Sequence, residues 1–453
     1  MINKHNTAAA FNREFRNWRI WATRALVMAA AVAAGLAVTG FTWLGEQALS
    51  LFMQAFHVKP WLALLWTPLC TAAIVWITRR HFSAAAGSGI PQVMAALDPL
   101  APPQATGRLV SFKLSLAKVG LTTWGLLAGL SLGREGPSVQ VAAGIMLTVR
   151  SWLPERSSVS THGLLVAGGA AGIAAAFNTP LAGVMFAIEE LSRTPEQRSS
   201  GLLMSAIVLA GLIAVSVYGN ATYFGIIHAS GIDLSLLLPG ALVALASGLA
   251  GGLFSRLLQA SLGGHAGDAL SRLRRARPVL FAALCGLLVA VIGVVSAGAT
   301  FGSGYSHTRD MVAGRESMPA LFLLLKFVAT WLTTWSGVPA GIFAPSLAIG
   351  AALGNDIAQL LHSPHTTALI ALGMVGFLAA ATQAPLTSFI IVMEMVDGHA
   401  MVLSLMACAM VARTVSHVIS APLYTVLAQQ QLVNASALAP RDAAPAASGD
   451  DDR

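Results

Sequence analysis

Charge is what this 453-residue chain has least of: Lys, Arg, Asp and Glu make up 10% of it, hydrophobic residues 56%, and mean hydropathy is +0.71. A soluble domain carries about 25% charged residues. Too few charges are present to cover a water-facing surface of this size, so a soluble fold is excluded and an all-α membrane protein is expected. Cysteine is nearly absent. Cys70, Cys285 and Cys408 are far apart, each inside an apolar run, which excludes a disulfide framework or cysteine metal site. No long polar face is present either. The net charge of +8 sits in short clusters between apolar runs, unlike the patch a nucleic-acid binder requires. His362 and His365 flank Ser-Pro and read as a loop. No metal, cofactor or nucleic-acid partner is expected.

The N-terminus lacks a cleavable leader pattern. Lys4, Arg13, Arg16, Arg19 and Arg24 alternate with Phe11, Phe15 and Trp18, which predicts a basic amphipathic segment over 1–24 on a membrane surface. A transmembrane domain is expected over 25–430. After about residue 431 the chain turns rich in Ala, Pro, Ser and Asp, and 431–453 reads as a disordered tail, too short for a cytoplasmic regulatory domain.

Apolar runs of spanning length fall at about 25–44, 60–78, 109–132, 201–218, 234–253, 279–300, 319–335 and 401–420, against the ~20 residues a bilayer needs. Shorter pieces lie at 90–97, 138–149, 163–178, 181–188, 346–354, 367–382 and 386–396, and read as helices that stop partway. Forty-three Gly and twenty Pro fit interrupted helices lining a cavity. Basic clusters at 13–24, Arg79-Arg80, Arg193 with Arg198, and Arg272 to Arg277 can all lie on the cytoplasmic side, with the N-terminus.

The chain repeats itself. GREGPSVQVAAGI (133–145) resembles GIFAPSLAIGAAL (341–353) at an offset of 208, and TPLAGVMFAIEEL (179–191) resembles APLTSFIIVMEMV (384–396) at 205. Two features in one order at nearly one offset argue for duplicated halves, about 25–220 and 234–430. Broken segments in matching positions of two halves point to a midplane substrate site.

Three segments share a design: Gly87-Ser88-Gly89-Ile90-Pro91, Gly133-Arg134-Glu135-Gly136-Pro137 and Gly341-Ile342-Phe343-Ala344-Pro345. Glycine bends the backbone, and proline suits the first helical turn. Each therefore reads as a loop feeding a helix start, whose free N–H groups and partial positive charge attract anions. Taken singly, each could be a plain turn between membrane helices. Several aimed at one point would hold an anion weakly enough to release it, as conduction demands. Glu135 is a carboxylate inside this constellation. Charge inside a membrane is costly and functional by default. Ionised, Glu135 mimics the anion and blocks its site; protonated, it has no reason to stay. Its bland alternative is a capping carboxylate paired with Arg134.

These motifs, in this order, resemble the CLC family of chloride channels and proton-coupled chloride transporters, of the bacterial type without cytoplasmic regulatory domains, over roughly residues 15–430. The resemblance implies two inverted-topology repeats of tilted, broken helices, and a homodimer with one pore per subunit. The lack of a large cytoplasmic domain suits a bacterial inner membrane. By the resemblance, Ser88, with Gly89 beside it, and Tyr424 offer hydroxyls to a central chloride. The backbone N–H groups of Ile342 and Phe343 do likewise. Glu135 is the gate, supported by Arg134, Gly136 and Lys118. Glu190 aligns with the internal proton glutamate of exchangers, which channels usually lack. Chloride/proton antiport is thus expected over a voltage- or pH-gated chloride channel. Ser88 and Pro137 match chloride-preferring relatives, while Met94 departs from an acidic residue found in some proton-coupled ones. A different class, a hydrolase, is raised by Gly129-Leu130-Ser131-Leu132-Gly133. That pattern needs a preceding strand, and here it closes a membrane helix.

Overall fold

The computed structural model describes residues 18–102, 104–154, 157, 159–192, 200–219, 222–225, 234–263, 269–316 and 318–437. Among these the fold is helical, and the extended contacts are two isolated bridges, Gly87 with Pro339 and Gly133 with Gly341. Six helical segments are long and apolar enough to cross a membrane: Trp18–Val58, Pro60–His81, Gly201–Tyr218, Leu237–Gly263, Pro278–Val295 and Gly398–Ile419.

Two of the eight expected spans come out short. The runs at 109–132 and 319–335 give the 16-residue helices Phe112–Leu127 and Leu321–Ser336. At 1.5 Å per residue each reaches about 24 Å, less than the ~30 Å hydrocarbon layer. Gly129 and Gly337, with φ of 76° and 91°, turn the chain just beyond them.

The first helix departs from expectation in the other direction. Trp18–Arg24, read as part of a surface segment, continues without a break into a 41-residue helix ending at Val58. No Gly or Pro interrupts residues 18–34, and Pro60 follows the helix end. Residues 1–17 lie outside the described residues, as do Arg193 and Arg198. The last helix, Leu423–Ala437, takes in residues 431–437 of the expected tail. Residues 438–453 lie outside the description.

The short apolar pieces form the centre. Every residue of 163–177 and of 368–382 is buried, as a helix apolar all round must be. Helix Thr161–Phe177 packs on Glu135–Thr148, and Thr366–Thr382 packs on Phe343–Leu360. Small residues make these contacts close. A Cβ on Gly168 would lie 2.6 Å from the Ala143 Cα, and one on its repeat mate Gly373 would strike the Gly350 carbonyl. Much of the glycine content thus serves packing between helices rather than interruption of them.

The two halves lock by reciprocal contacts. Gly133 and Gly341, 208 residues apart, exchange N–H to carbonyl hydrogen bonds of 2.8 and 2.9 Å. Asn178 and Gln383, 205 apart, take φ of 59° and 63° and end matching helices. Pro180 and Pro385 then open the next pair, Pro180–Phe186 and Pro385–Met395, which pack on each other.

Candidate functional site

Gly87 and Gly89 take φ of 71° and 106°, and Gly89 caps the start of helix Ile90–Leu97. This loop is tied down from both sides. Ala340 N–H donates to the Gly87 carbonyl at 3.1 Å. The Lys118 ammonium, fully buried, donates to the carbonyls of Ala85 and Gly87 at 2.8 and 2.7 Å. Lys118 therefore meets backbone dipoles, not a carboxylate.

The other two helix starts abut directly, because Glu135–Thr148 and Phe343–Leu360 begin two residues beyond the Gly133–Gly341 bridge. Neither glycine has the positive φ that the shared design suggests. Their requirement is close approach: a Cβ on Gly341 would lie 2.8 Å from the Gly133 carbonyl and 2.9 Å from Pro137 Cδ.

The buried polar atoms near this junction that make no hydrogen bond of good geometry include Ser88 Oγ, Glu135 Oε2 and Tyr424 Oη, with the Ser88 and Tyr424 side chains close enough to act on each other. Buried polar groups are rarely left so; a small anion would accept from the two hydroxyls, and a proton would neutralise the carboxylate. Ser88 Oγ lies against Gly136, where an added Cβ would collide with it. The Tyr424 ring packs 5.9 Å from that of Phe343. The Glu135 carboxylate folds back beside Gly133. The backbone amides of Arg134, Glu135 and Ala344 act on its charge, yet none bonds Oε2.

The expected residues do not share one cavity. Ser88, Ile342 and Tyr424 line a cavity of about 180 Å³. Arg134 and Glu135 line a second, of about 240 Å³, with Glu46, Ser303 and Tyr305. Gly136, which follows Glu135 and touches the Ser88 hydroxyl, marks where the two approach. Phe343 lines neither cavity and packs against Tyr424.

Arg134 does not pair with its neighbour Glu135. Its guanidinium donates to Glu46 at 2.7 Å, to the Thr42 carbonyl at 3.1 Å and to the Tyr223 hydroxyl at 3.4 Å. The pair Glu189 and Glu190 separates as well. Both lie on the π-helical turn Ala187–Leu191. Glu189 accepts from the N–H groups of Leu386 and Thr387 at 3.0 and 2.6 Å, capping the helix start of the other half. Glu190 lies close enough for its charge to act on the Tyr424 hydroxyl. Ser131 is buried, and its hydroxyl pairs with that of Thr330 at 2.9 Å. Among the described residues no histidine meets it, and no strand precedes it.

Sequence reading missed Glu46, Tyr223, Lys326 and the loop Gly302-Ser303-Gly304. That loop mirrors Gly87-Ser88-Gly89: Gly304, at φ of 85°, caps helix Tyr305–Val312. Fully buried Lys326 donates to the Thr300 and Gly302 carbonyls at 2.9 and 2.8 Å. The signal was present, since Lys326 stands 208 residues after Lys118 and the Gly-Ser-Gly triplet recurs.

Comparison with known proteins bears on the family and the fold. The family described as voltage gated chloride channel matches residues 70–417. The chain is 30% identical over 418 residues to the H(+)/Cl(-) exchange transporter ClcA of Citrobacter koseri, spanning 87% of this chain and 85% of the relative. In fold it matches a slow cyanobacterial Cl-/H+ antiporter, with TM-score 0.79, 24% identity, and coverage of 91% of this chain and 98% of that one. It also matches a CLC-type fluoride/proton antiporter, with TM-score 0.73, 22% identity, and coverage of 91% and 98%.

Proposed function

The chain belongs to the voltage gated chloride channel family, and we propose that it exchanges chloride for protons across a membrane, with the Glu135 carboxylate competing with chloride for the anion site and taking up the proton. The observation that carries this reading is the position of the Glu135 carboxylate. It lines one cavity with Oε2 unpartnered, while the next residue, Gly136, touches a hydroxyl that lines the other. A chloride moving between the cavities must pass the carboxylate. Ionised, Glu135 excludes the anion from the amide-rich helix starts; protonated, it yields them. Each anion passage is then tied to a proton on Glu135.

In this reading Ser88 and Tyr424 give hydroxyls to the anion, and Gly89, Ile342 and Phe343 give backbone N–H groups. Gly136 keeps the approach open, Lys118 fixes the Ser88 loop and Arg134 steadies the Glu135 turn. Glu190, whose charge is felt at Tyr424, passes protons from the opposite side. The name of the Citrobacter koseri relative, an H(+)/Cl(-) exchange transporter, supports exchange. So does the retention of Glu190.

Orientation follows from charge. Arg274 lines the Ser88–Tyr424 cavity, and the charge of Arg79 acts on it. Two basic clusters thus gather at that end, which the positive-inside rule assigns to the cytoplasm. Glu46 lines the opposite cavity, 28 residues or about 42 Å along the first helix from Trp18, so the N-terminus is cytoplasmic too. A bacterial inner membrane and a homodimer with one pore per copy complete the reading. Leu181, Leu212 and Leu403 are among the exposed apolar residues available to lipid or to a second copy, and crosslinking in lipid would test the pairing.

The decisive experiment is purified protein in liposomes under a chloride gradient, with proton movement recorded. Uphill proton transport that follows chloride in fixed ratio is expected. Chloride flux without it would make the protein a passive channel.

A further inference from the structure

The two cavities carry opposite charge. The one at Glu135 is lined by two carboxylates, Glu46 and Glu135, against one guanidinium, Arg134. The Ser88–Tyr424 cavity is lined, among the described residues, by a single formal charge, that of Arg274. Its other polar lining is neutral and includes Gln92, Gln430, Gln431 and Asn434. Glu190, whose charge reaches Tyr424, is not among the residues that line it.

Arg274 is built into this position. It sits on helix Ala269–Ala276, and its Nη1 donates to the Ser261 carbonyl at 3.1 Å. Trp331 donates to the Ser261 hydroxyl at 2.9 Å, which fixes that carbonyl's segment in turn. A guanidinium has five donors, so one bond to Ser261 leaves others for an anion. Arg272, Arg275 and Arg277 around it are exposed, and bulk water with salt screens charges of that kind. The partly buried Arg274 at a low-dielectric wall is screened less.

We propose that Arg274 is an anion-capture residue, whose guanidinium concentrates chloride or another small inorganic anion in the mouth of the Ser88–Tyr424 cavity. The inference rests on the transport reading and adds to it a site of recruitment distinct from the Ser88 and Tyr424 hydroxyls. A cleft walled by low-dielectric protein and lined by one sign of charge raises the local concentration of counter-ions, and the effect falls as ionic strength rises. Chloride would gather on this side, while the Glu135 side repels it until Glu135 is protonated.

The test is isotopic chloride exchange by the full chain in liposomes, with equal chloride on both faces so that insertion direction does not matter. Arg274→Gln should raise the half-saturating chloride roughly tenfold at low ionic strength, the lower end of such focusing, with the maximal rate and the proton ratio retained. Arg274→Lys, which keeps the charge and changes the hydrogen bond, should stay near wild type. Arg275→Gln should do nothing. Raising ionic strength with impermeant gluconate should erase the difference between wild type and Arg274→Gln. An unchanged half-saturation in Arg274→Gln would overturn the proposal. So would a defect shared by Arg274→Lys and insensitive to gluconate, which is the signature of a merely structural arginine. Wild-type vesicles that exchange no chloride at all would instead overturn the transport reading itself.

Discussion

Glu189 and Glu394, 205 residues apart, each cap the helix start of the opposite half. Glu189 accepts from Leu386 and Thr387, and Glu394 accepts from Leu181 and Ala182 at 3.2 and 2.8 Å. The two helices so capped pack on each other, which makes the carboxylates reciprocal clasps between the halves. A bond from an N–H to a charged acceptor contributes about 1.5–3 kcal/mol. Glu394→Gln keeps the shape and one acceptor oxygen while losing the charge. It should therefore lower stability by about 1–3 kcal/mol, visible as earlier thermal unfolding in detergent, with the proton-to-chloride ratio intact.

Adjacent Glu189 and Glu190 should fail in different ways. Glu189→Gln is expected to behave as Glu394→Gln does, less stable and still coupled. Glu190→Gln is expected to fold as wild type and stop protons while sparing chloride. Parallel proton and chloride records in liposomes separate them. A fully coupled Glu190→Gln would remove that residue from the proton route.

Glu135→Gln replaces the competing charge with a neutral side chain of nearly the same shape. Chloride should still pass and protons should not follow it. The expected record is chloride flux insensitive to pH and no uphill proton movement. Retained coupling would refute the gate.

The mirrored lysines offer a comparison within one fold. Lys118 and Lys326 each satisfy two buried carbonyls. A methionine at 326 leaves the Thr300 and Gly302 carbonyls unpaired, and one at 118 leaves that of Ala85, since Gly87 keeps the Ala340 N–H, at about 1–3 kcal/mol each, so both variants should unfold earlier. Only Lys118 holds the loop of Ser88. Lys118→Met should weaken chloride binding by calorimetry, and Lys326→Met should leave it near wild type.

These pairs also show where sequence sufficed. The GREGP and GIFAP repeats marked Gly133 and Gly341 as repeat mates, though not as bonded partners, because a short, compositionally unusual motif stands out beside apolar helices of any composition. The Gly-Ser-Gly loop at 302–304 stands 215 residues after 87–89, not 208. Seven residues of slippage hid it from a reading that held the offset fixed. Glu46 was not legible at all: it pairs with Arg134 across 88 residues, and nothing local marks a carboxylate in a long helix as a partner. The division into two cavities was equally invisible, since it depends on how close Ser88 comes to Gly136, a matter of ångströms that residue types do not encode. The role of the glycines was misassigned for a related reason. Positive φ and close approach both demand glycine, and the residue type does not say which applies.

Tyr424 tests the anion site with the least disturbance to the fold. Its hydroxyl is buried and makes no hydrogen bond of good geometry, though the Ser88 side chain is close enough to act on it, while its ring packs on Phe343. Tyr424→Phe keeps the ring contact and removes only the unpaired group, so stability should hold or rise slightly, by up to about 1 kcal/mol. An anion loses one donor. Hydrogen bonds to charged groups contribute about 1.5–3 kcal/mol, or roughly one to two orders of magnitude in Kd. Calorimetric titration with chloride should show that weakening, and a thermal melt should show no loss. The opposite pattern, unaltered binding with a less stable protein, would mean that the hydroxyl serves the fold and that the anion is held elsewhere.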